Sequence, residues 1–214
     1  MKVNRALPVL VLSLMLPAAF VFAVTESAKN EAYKIDPDHS NVGFSIRHFF
    51  SKVPGHFKNY EGTIALDPKD LSKAKVDVSI DTGSIDTGVE DRDKHLKSPD
   101  FFDAAKYPKM TFVSTEVIQK GPNHAAVKGN LTLHGVTKPV TLEADVLGFS
   151  PDPWGGYRGG FEAKTTLKRS DFGISWNKAV EGGGLLLGDD VEVTLNIEAV
   201  RETPKAAEPA PKKN

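Results

Sequence analysis

Hydrophobic and polar positions alternate with a period of two along most of the chain. Val42, Phe44 and Ile46 fall on one side, with Gly43, Ser45 and Arg47 on the other. Tyr60, Gly62, Ile64 and Leu66 alternate with Glu61, Thr63 and Ala65 and stop at Asp67-Pro68, while Val76, Val78 and Ile80 alternate with Asp77, Ser79 and Asp81. Such alternation predicts β-strands with one apolar and one wet face. The pattern resumes with Met110, Phe112 and Ser114, continues through Ala125, Val127, Gly129, Leu131 and Leu133, and again through Val140, Leu142, Ala144 and Val146. Between the last two, His134-Gly135-Val136-Thr137 reads as a hairpin connection. Phe161, Ala163, Thr165 and Leu167 form a further series, and Val191, Val193, Leu195, Ile197 and Ala199 the most regular one. No helical segments separate the strands as parallel crossovers would require. About eight antiparallel strands are therefore expected, paired as two sheets or closed into a barrel.

The period fails once, in the middle. Thr87-Gly88-Val89-Glu90 fits a capping box and predicts a short helix to about Leu96. Ser98-Pro99-Asp100 can open another helical turn with proline at its first position. Tyr107-Pro108 ends the segment, because a residue before proline is pushed toward extended conformations. This helical insertion, near residues 88–106, is expected to close one end of the sheet or cover a cavity.

The N-terminus changes the picture of where the chain works. Lys2 and Arg5 precede an apolar run from Ala6 to Phe22, and Val21-Phe22-Ala23 presents small residues in a cleavage pattern. Residues 1–23 are expected to be a signal peptide cut after Ala23. A retained membrane anchor is the competing reading, but Pro8 and Pro17 interrupt a run barely long enough to span. Residues 24–202 are expected to form one domain, and residues 203–214, rich in Pro, Ala, Lys and Glu, a disordered tail. Export together with the absence of cysteine fits a bacterial periplasm and excludes thiol nucleophiles, disulfides and Cys-ligated zinc. With 27 basic and 28 acidic side chains, the formal charge is −1. That balance carries no electrostatic footprint for nucleic acid.

Candidate catalytic chemistry is thin. Asp81-Thr82-Gly83 and Asp86-Thr87-Gly88 each match the aspartic-protease triplet, but copies so close in sequence cannot face each other within one chain. A homodimer could pair them, yet Asp and Gly equally suit turns, and the turn reading is preferred. The histidines (39, 48, 56, 95, 124, 134) show no His-x-His or His-Glu-x-x-His spacing. His39 and His48 could meet at the end of one strand pair, but no metal is expected. A serine-hydrolase elbow is missing, and Val89 stands where the Gly83–Gly88 spacing would need a phosphate-loop lysine.

Five pieces in order carry a family resemblance: Asp38-His39-Ser40-x-Val42-x-Phe44-x-Ile46-x-His48; Val53-x-Gly55-x-Phe57; Arg92-x-x-x-Leu96-x-Ser98-x-Asp100-Phe101-Phe102-Asp103 with Tyr107-Pro108; Leu131-Thr132-Leu133-His134-Gly135-Val136-Thr137-x-Pro139-Val140; and Arg169-Ser170-Asp171-Phe172-Gly173-Ile174. Across roughly Tyr33 to Val200 the chain resembles the YceI-like family of exported lipocalin-like proteins. The resemblance implies an all-β, eight-stranded antiparallel barrel that holds a polyisoprenoid, a quinone-like lipid or a fatty amide. It implies no catalytic residue, metal or cofactor. The residues expected to meet the ligand are Phe44, Ile46, His48, Arg92, Leu96, Phe101, Phe102, Phe112, Leu131, Leu133, Phe161, Arg169, Ile174 and Trp176. His48, Arg92 and Arg169 are candidates for a polar headgroup, with salt bridges to Asp100, Asp103 or Asp171 as the competing use of the arginines. Whether the aromatics line a cavity or fill it stays open, as do a homodimer and transient contact with a membrane. Two other functions compete: a hydrolase acting on a lipid-like substrate, and a stress-related interaction protein whose barrel is full.

Overall fold

The computed structural model describes residues 30–181 and 183–202; the expected signal peptide and C-terminal tail lie outside the described residues. Antiparallel ladders join β1 (Glu31–Ile35), β2 (Asn41–His48), β3 (Ser51–Phe57), β4 (Tyr60–Asp67), β5 (Asp70–Asp81), β6 (Ile85–Asp86), β7 (Lys109–Gln119), β8 (His124–Leu133), β9 (Val136–Pro151), β10 (Tyr157–Lys168) and β11 (Leu187–Arg201). The order β1-β4-β5-β7-β8-β9-β10-β11 closes on itself, because β11 pairs again with β1, Ala199 opposite Ile35 and Arg201 opposite Tyr33. Closure gives a barrel of eight staves and removes the free edge an open sheet would leave.

Three staves are broken strands. β2 continues β1 along β11, β3 runs into β4 and pairs with β2, and β6 continues β5 and pairs with β3. β1, β3 and β6 escape the alternation because they are short or irregular. β3 contains Pro54-Gly55, which the pattern does not read as strand. It pairs with β2 along its length but meets β6 only through His56 and Phe57. β5 meets β7 along Asp77–Asp81, whereas β6 leaves that ladder, so the barrel wall parts at one end. The insertion covers this gap.

Within the insertion the helix is shorter and capped differently from the expectation. α1 spans Glu90–Lys97 with Val89 at its N-cap and no side-chain cap bond. Thr87 stands too early to cap it. Asp86 Oδ1 accepts the Gly88 N–H at 2.7 Å, and Gly88 turns the chain at φ 76° before the helix starts. The carboxylate that reaches back belongs to Asp93, whose Oδ1 accepts from Thr87 N and Oγ1 at 2.9 and 2.5 Å. Ser98-Pro99-Asp100 opens no second helix. Ser98 N–H and Oγ both donate to the His95 carbonyl, and the amides of Phe101 and Asp103 return to Ser98 O, so residues 98–106 wrap the helix end as turns. The β8–β9 connection matches its reading: Leu133 pairs with Val136 across His134 and Gly135, both left-handed at φ 52° and 75°, the geometry of a two-residue hairpin turn.

Outside the barrel, Arg158 of β10 ties the β1–β2 break to its neighbours. Its Nη1 donates to Asp36 Oδ2 at 2.5 Å and Glu198 Oε1 at 2.6 Å, and its Nε donates to Asp152 Oδ2 at 3.0 Å. Asp36, His39 and Glu198 offer ligand atoms within 4.8 Å of one another, but the guanidinium already occupies the place a cation would take. The hydrogen bond from Arg158, then that from His39, holds the Asp36 carboxyl below its ordinary 3.8. A depressed folded-state pKa stabilises at neutral pH and ceases to as pH falls through it. Asp36→Asn is therefore expected to lower the melting temperature by roughly 3–6 °C at neutral pH, a gap that narrows as pH falls below the carboxyl's ordinary 3.8. Thermal melts of both proteins between about pH 7 and pH 2 check this; a gap independent of pH would contradict it.

Candidate functional site

The inner faces of the staves do not meet. They enclose a cavity of about 420 Å³ running from Leu71, Val117 and Ala144, at the end with the short turns, to His48, Trp176 and Leu186 at the insertion end. Its wall is asymmetric. On β4, β7 and β8 the inward side chains Ile64, Leu66, Phe112, Leu131 and Leu133 are buried. On β9, β10 and β11 the lining residues Leu142, Ala144, Ala163, Thr165, Val193 and Leu195 remain only half-buried although they point inward. The surface they keep is the surface of the cavity. Side chains here line a void instead of filling it, and the paired alanines Ala144 and Ala163 leave part of the room.

Aromatic rings close the insertion end. Phe102 stands edge-on to Phe57 with centroids 5.6 Å apart, and Phe101 meets Trp176 at 5.2 Å. His95 of α1 is edge-on to both Phe101 and Trp176, at 5.0 and 4.9 Å, and its Nε2 lies 2.8 Å from Asp100 Oδ2. Phe112 and Phe44 lie against glycines farther down. A Cβ on Gly129 would sit 2.4 Å from the Phe112 ring, and one on Gly55 equally near Phe44.

Two guanidinium groups join the wall at this end, and among the described residues neither meets a carboxylate. Arg92 Nε and Nη2 donate to Thr87 Oγ1 and O at 2.7 and 2.8 Å. Arg169 Nε donates to Gly188 O at 2.9 Å, and its Nη1 to Ile174 O and Trp176 O at 3.0 and 2.8 Å. Burial lowers the Arg169 pKa from the ordinary arginine value. The competing salt bridges do not form: Asp100 is taken by His95, and no ion pair among the described residues joins Arg92 or Arg169 to an acid. Cations held only by carbonyls and a hydroxyl, beside an apolar void, suit a ligand end that is anionic or carries a carbonyl dipole. One ammonium cannot span the three carbonyls Arg169 holds. Arg169→Lys is expected to cost about 2–3 kcal/mol, or ~5–10 °C of melting temperature; a wild-type melt would show that these bonds do not anchor residues 170–186.

Every residue put forward from the sequence, from Phe44 on β2 to Trp176 beyond β10, lies on the cavity wall. Thr87, His95, Val53 and Leu186 line it too and were missed. His95 could have been found from its spacing of three from Arg92, which places both on one helix face. His39 and His48 do not meet, since the whole of β2 separates them. Both Asp-Thr-Gly triplets are turns: Asp81 Oδ1 accepts from Gly83 N at 2.9 Å, Asp86 accepts from Gly88, and Thr82 is fully buried with its Oγ1 donating to Tyr107 O at 2.7 Å.

Known proteins share this architecture. A family model described as the YceI-like domain matches residues 33–199. The chain belongs to the YceI-like family. Its relatives include Protein YceI of Salmonella arizonae and of Salmonella newport, each 43% identical over 187 residues, covering 86% of this chain and 94% of the relative. Among solved structures, BcnA of Burkholderia cenocepacia is 25% identical with a TM-score of 0.69, covering 77% of this chain and 99% of that one. The YceI protein of Campylobacter jejuni is 32% identical with a TM-score of 0.64, covering 73% and 90%. A polyisoprenoid binding domain from Saccharophagus degradans, 18% identical, shares the fold at a TM-score of 0.62 over 80% of this chain and 99% of that one. The YceI-like pieces of the sequence have structural work to do here. Ser40 Oγ donates to Glu198 O and accepts from Glu198 N, at 3.1 and 3.0 Å, fixing the start of β2 to β11. The Arg169-Ser170-Asp171-Phe172 turn supplies the buried arginine and the buried Phe172.

Proposed function

We propose that this YceI-like protein is exported to the periplasm, with loss of residues 1–23, and there binds a long-chain isoprenoid or similar amphipathic lipid without chemistry. Prenyl quinones and fatty amides fit the same description. The observation that carries the reading is an unfilled apolar cavity whose arginines collect at one end. Its volume falls in the usual range for ligand sites, roughly 300–1,000 Å³. The Saccharophagus degradans barrel, described as polyisoprenoid binding, supports the same class of ligand. Each methylene gains about 0.8 kcal/mol on leaving water, but the competing environment for such a lipid is a bilayer as oily as the cavity. Net transfer is then close to balanced, and the polar end decides register and selectivity. A carrier needs that balance, because it must release what it binds.

The void supports this reading over that of a full barrel. The hydrolase reading needs a nucleophile held by a base, and among the described residues no serine or threonine hydroxyl is hydrogen-bonded to a histidine ring. No metal or cofactor is given a role.

The chain's two tryptophans make the proposal testable. Trp176 is on the cavity wall, and Trp154, 81% exposed, lies in the β9–β10 turn at the far end. A prenyl quinone added to delipidated protein is expected to quench fluorescence saturably in the wild type and in Trp154→Phe, and not in Trp176→Phe. Equal quenching of Trp154 alone would place the quinone outside the cavity and sink the proposal.

A further inference from the structure

The β2–β3 hairpin turns through Phe49 and Phe50, which join His48 to its partner Ser51. Phe49 takes φ 52°, left-handed backbone that two-residue hairpins normally give to glycine or asparagine. Phe50 is 90% exposed and Phe49 46%. A bulky residue in a left-handed turn, followed by a fully displayed phenylalanine, spends stability on surface aromatics, and such strain gathers at functional positions. The place of this tip is informative. Phe49 N donates to Leu186 O at 3.0 Å, and the neighbouring Leu185 is 65% exposed. His48, Leu186 and Leu187, directly behind, are cavity wall. The apolar tip is thus continuous with the cavity wall at the insertion end.

Charge lies behind the aromatics. Arg47 and Lys52 face each other across the hairpin on the outer side, and Arg47 Nη1 donates to Phe50 O at 3.1 Å. Lys52 also pairs with Glu192, and exposed Lys178 adjoins Leu186, whose amide bonds to Lys178 O. Of the nearby acids, Asp189 is held by Ser170, and Glu181 is exposed in the loop. The remaining large exposed apolar side chains away from this end, Trp154, Leu147, Val113 and Ile118, lie on the barrel's outside or in the far turn.

We infer that Phe49 and Phe50, with Leu185, form an insertion tip that docks this end of the cavity on a phospholipid bilayer, with Arg47 and Lys52 at the level of the phosphates. Aromatic side chains backed by basic ones are the pattern of interfacial anchoring. A second copy of the chain is the poorer occupant. A standard protein interface buries about 800 Å² on each side, far more than the two side chains of the turn and the neighbouring Leu185 supply. A bilayer needs no complementary surface. This inference rests on the lipid-binding reading and adds the route by which lipid enters and leaves.

The test uses the mature wild-type protein and Phe49→Gly/Phe50→Ser, a double variant that removes both rings and relaxes the left-handed residue. Vesicles of phosphatidylethanolamine with phosphatidylglycerol serve as the membrane. Vesicle association is expected to fall at least tenfold in the variant, and quinone transfer out of vesicles to slow by a similar factor. Quenching of Trp176 by a short-chain quinone added from solution should stay at the wild-type level, and the melting temperature should hold or rise. Equal vesicle association by both proteins, or none by the wild type, would overturn the docking inference. So would a wild-type dimer that the double variant converts to monomer. Loss of Trp176 quenching in the wild type would instead defeat the lipid-binding reading itself, so the two failures are separable.

Discussion

Replacing Ala163 with tryptophan is expected to abolish lipid loading while leaving a folded barrel. Ala163 points inward from β10, opposite Ala144 on β9 and Leu195 on β11, and all three are cavity wall. In a filled core an added ring costs about 1–3 kcal/mol through forced rearrangement. Here the indole enters open space that the chain of a ligand would use, and it buries apolar area on the way. The melting temperature should stay level or rise, and affinity for a prenyl quinone should fall a hundredfold or more, read by titration of tryptophan-independent quinone retention. Wild-type retention would mean that the cavity is not where lipid binds. A collapse in stability would mean that the void is smaller than the geometry shows.

The second large effect separates two neighbours on one strand. Leu133 is 7% exposed and lines the cavity, whereas Thr132 faces away, its Oγ1 2.8 Å from Thr137 Oγ1. Leu133→Arg drives a guanidinium into apolar surroundings with no partner, at a cost of several kcal/mol, and is expected to unfold the protein or expel its ligand. Thr132→Arg should stay within about 0.5 kcal/mol of wild type. Chemical denaturation of the pair reads this directly. Equal tolerance would put β8 one residue out of register, since a single slip exchanges its faces.

The staves and the apolar wall were legible in the sequence because both follow from one period. Once Leu131 and Leu133 share a face, they must share the interior of whatever the strands enclose. What the alternation could not show is where it breaks. β3 is masked by Pro54 and Gly55, and a bulge in β7 between Ser114 and Glu116 moves the inward positions from Met110 and Phe112 to Val117. Capping at α1 was misread because Thr87 and Glu90 have the spacing of a capping box, while Gly88 turns the chain first and Asp93 makes the contact. The arginines were found as cavity candidates, but their partners were not. Arg169 binds carbonyls as far along the chain as Gly188, nineteen residues on, and backbone carbonyls carry no sequence label. The exposed hairpin tip also went unread, since Phe49 and Phe50 show as a turn only once β3 is known to follow them.

The most direct test of the account is mass spectrometry of the protein purified from its own cell, first native and then denatured with extraction. The account predicts a native adduct that is released on denaturation and extracts as a prenyl or other long-chain lipid. A bare native mass, with no uptake from a total lipid extract, would contradict it.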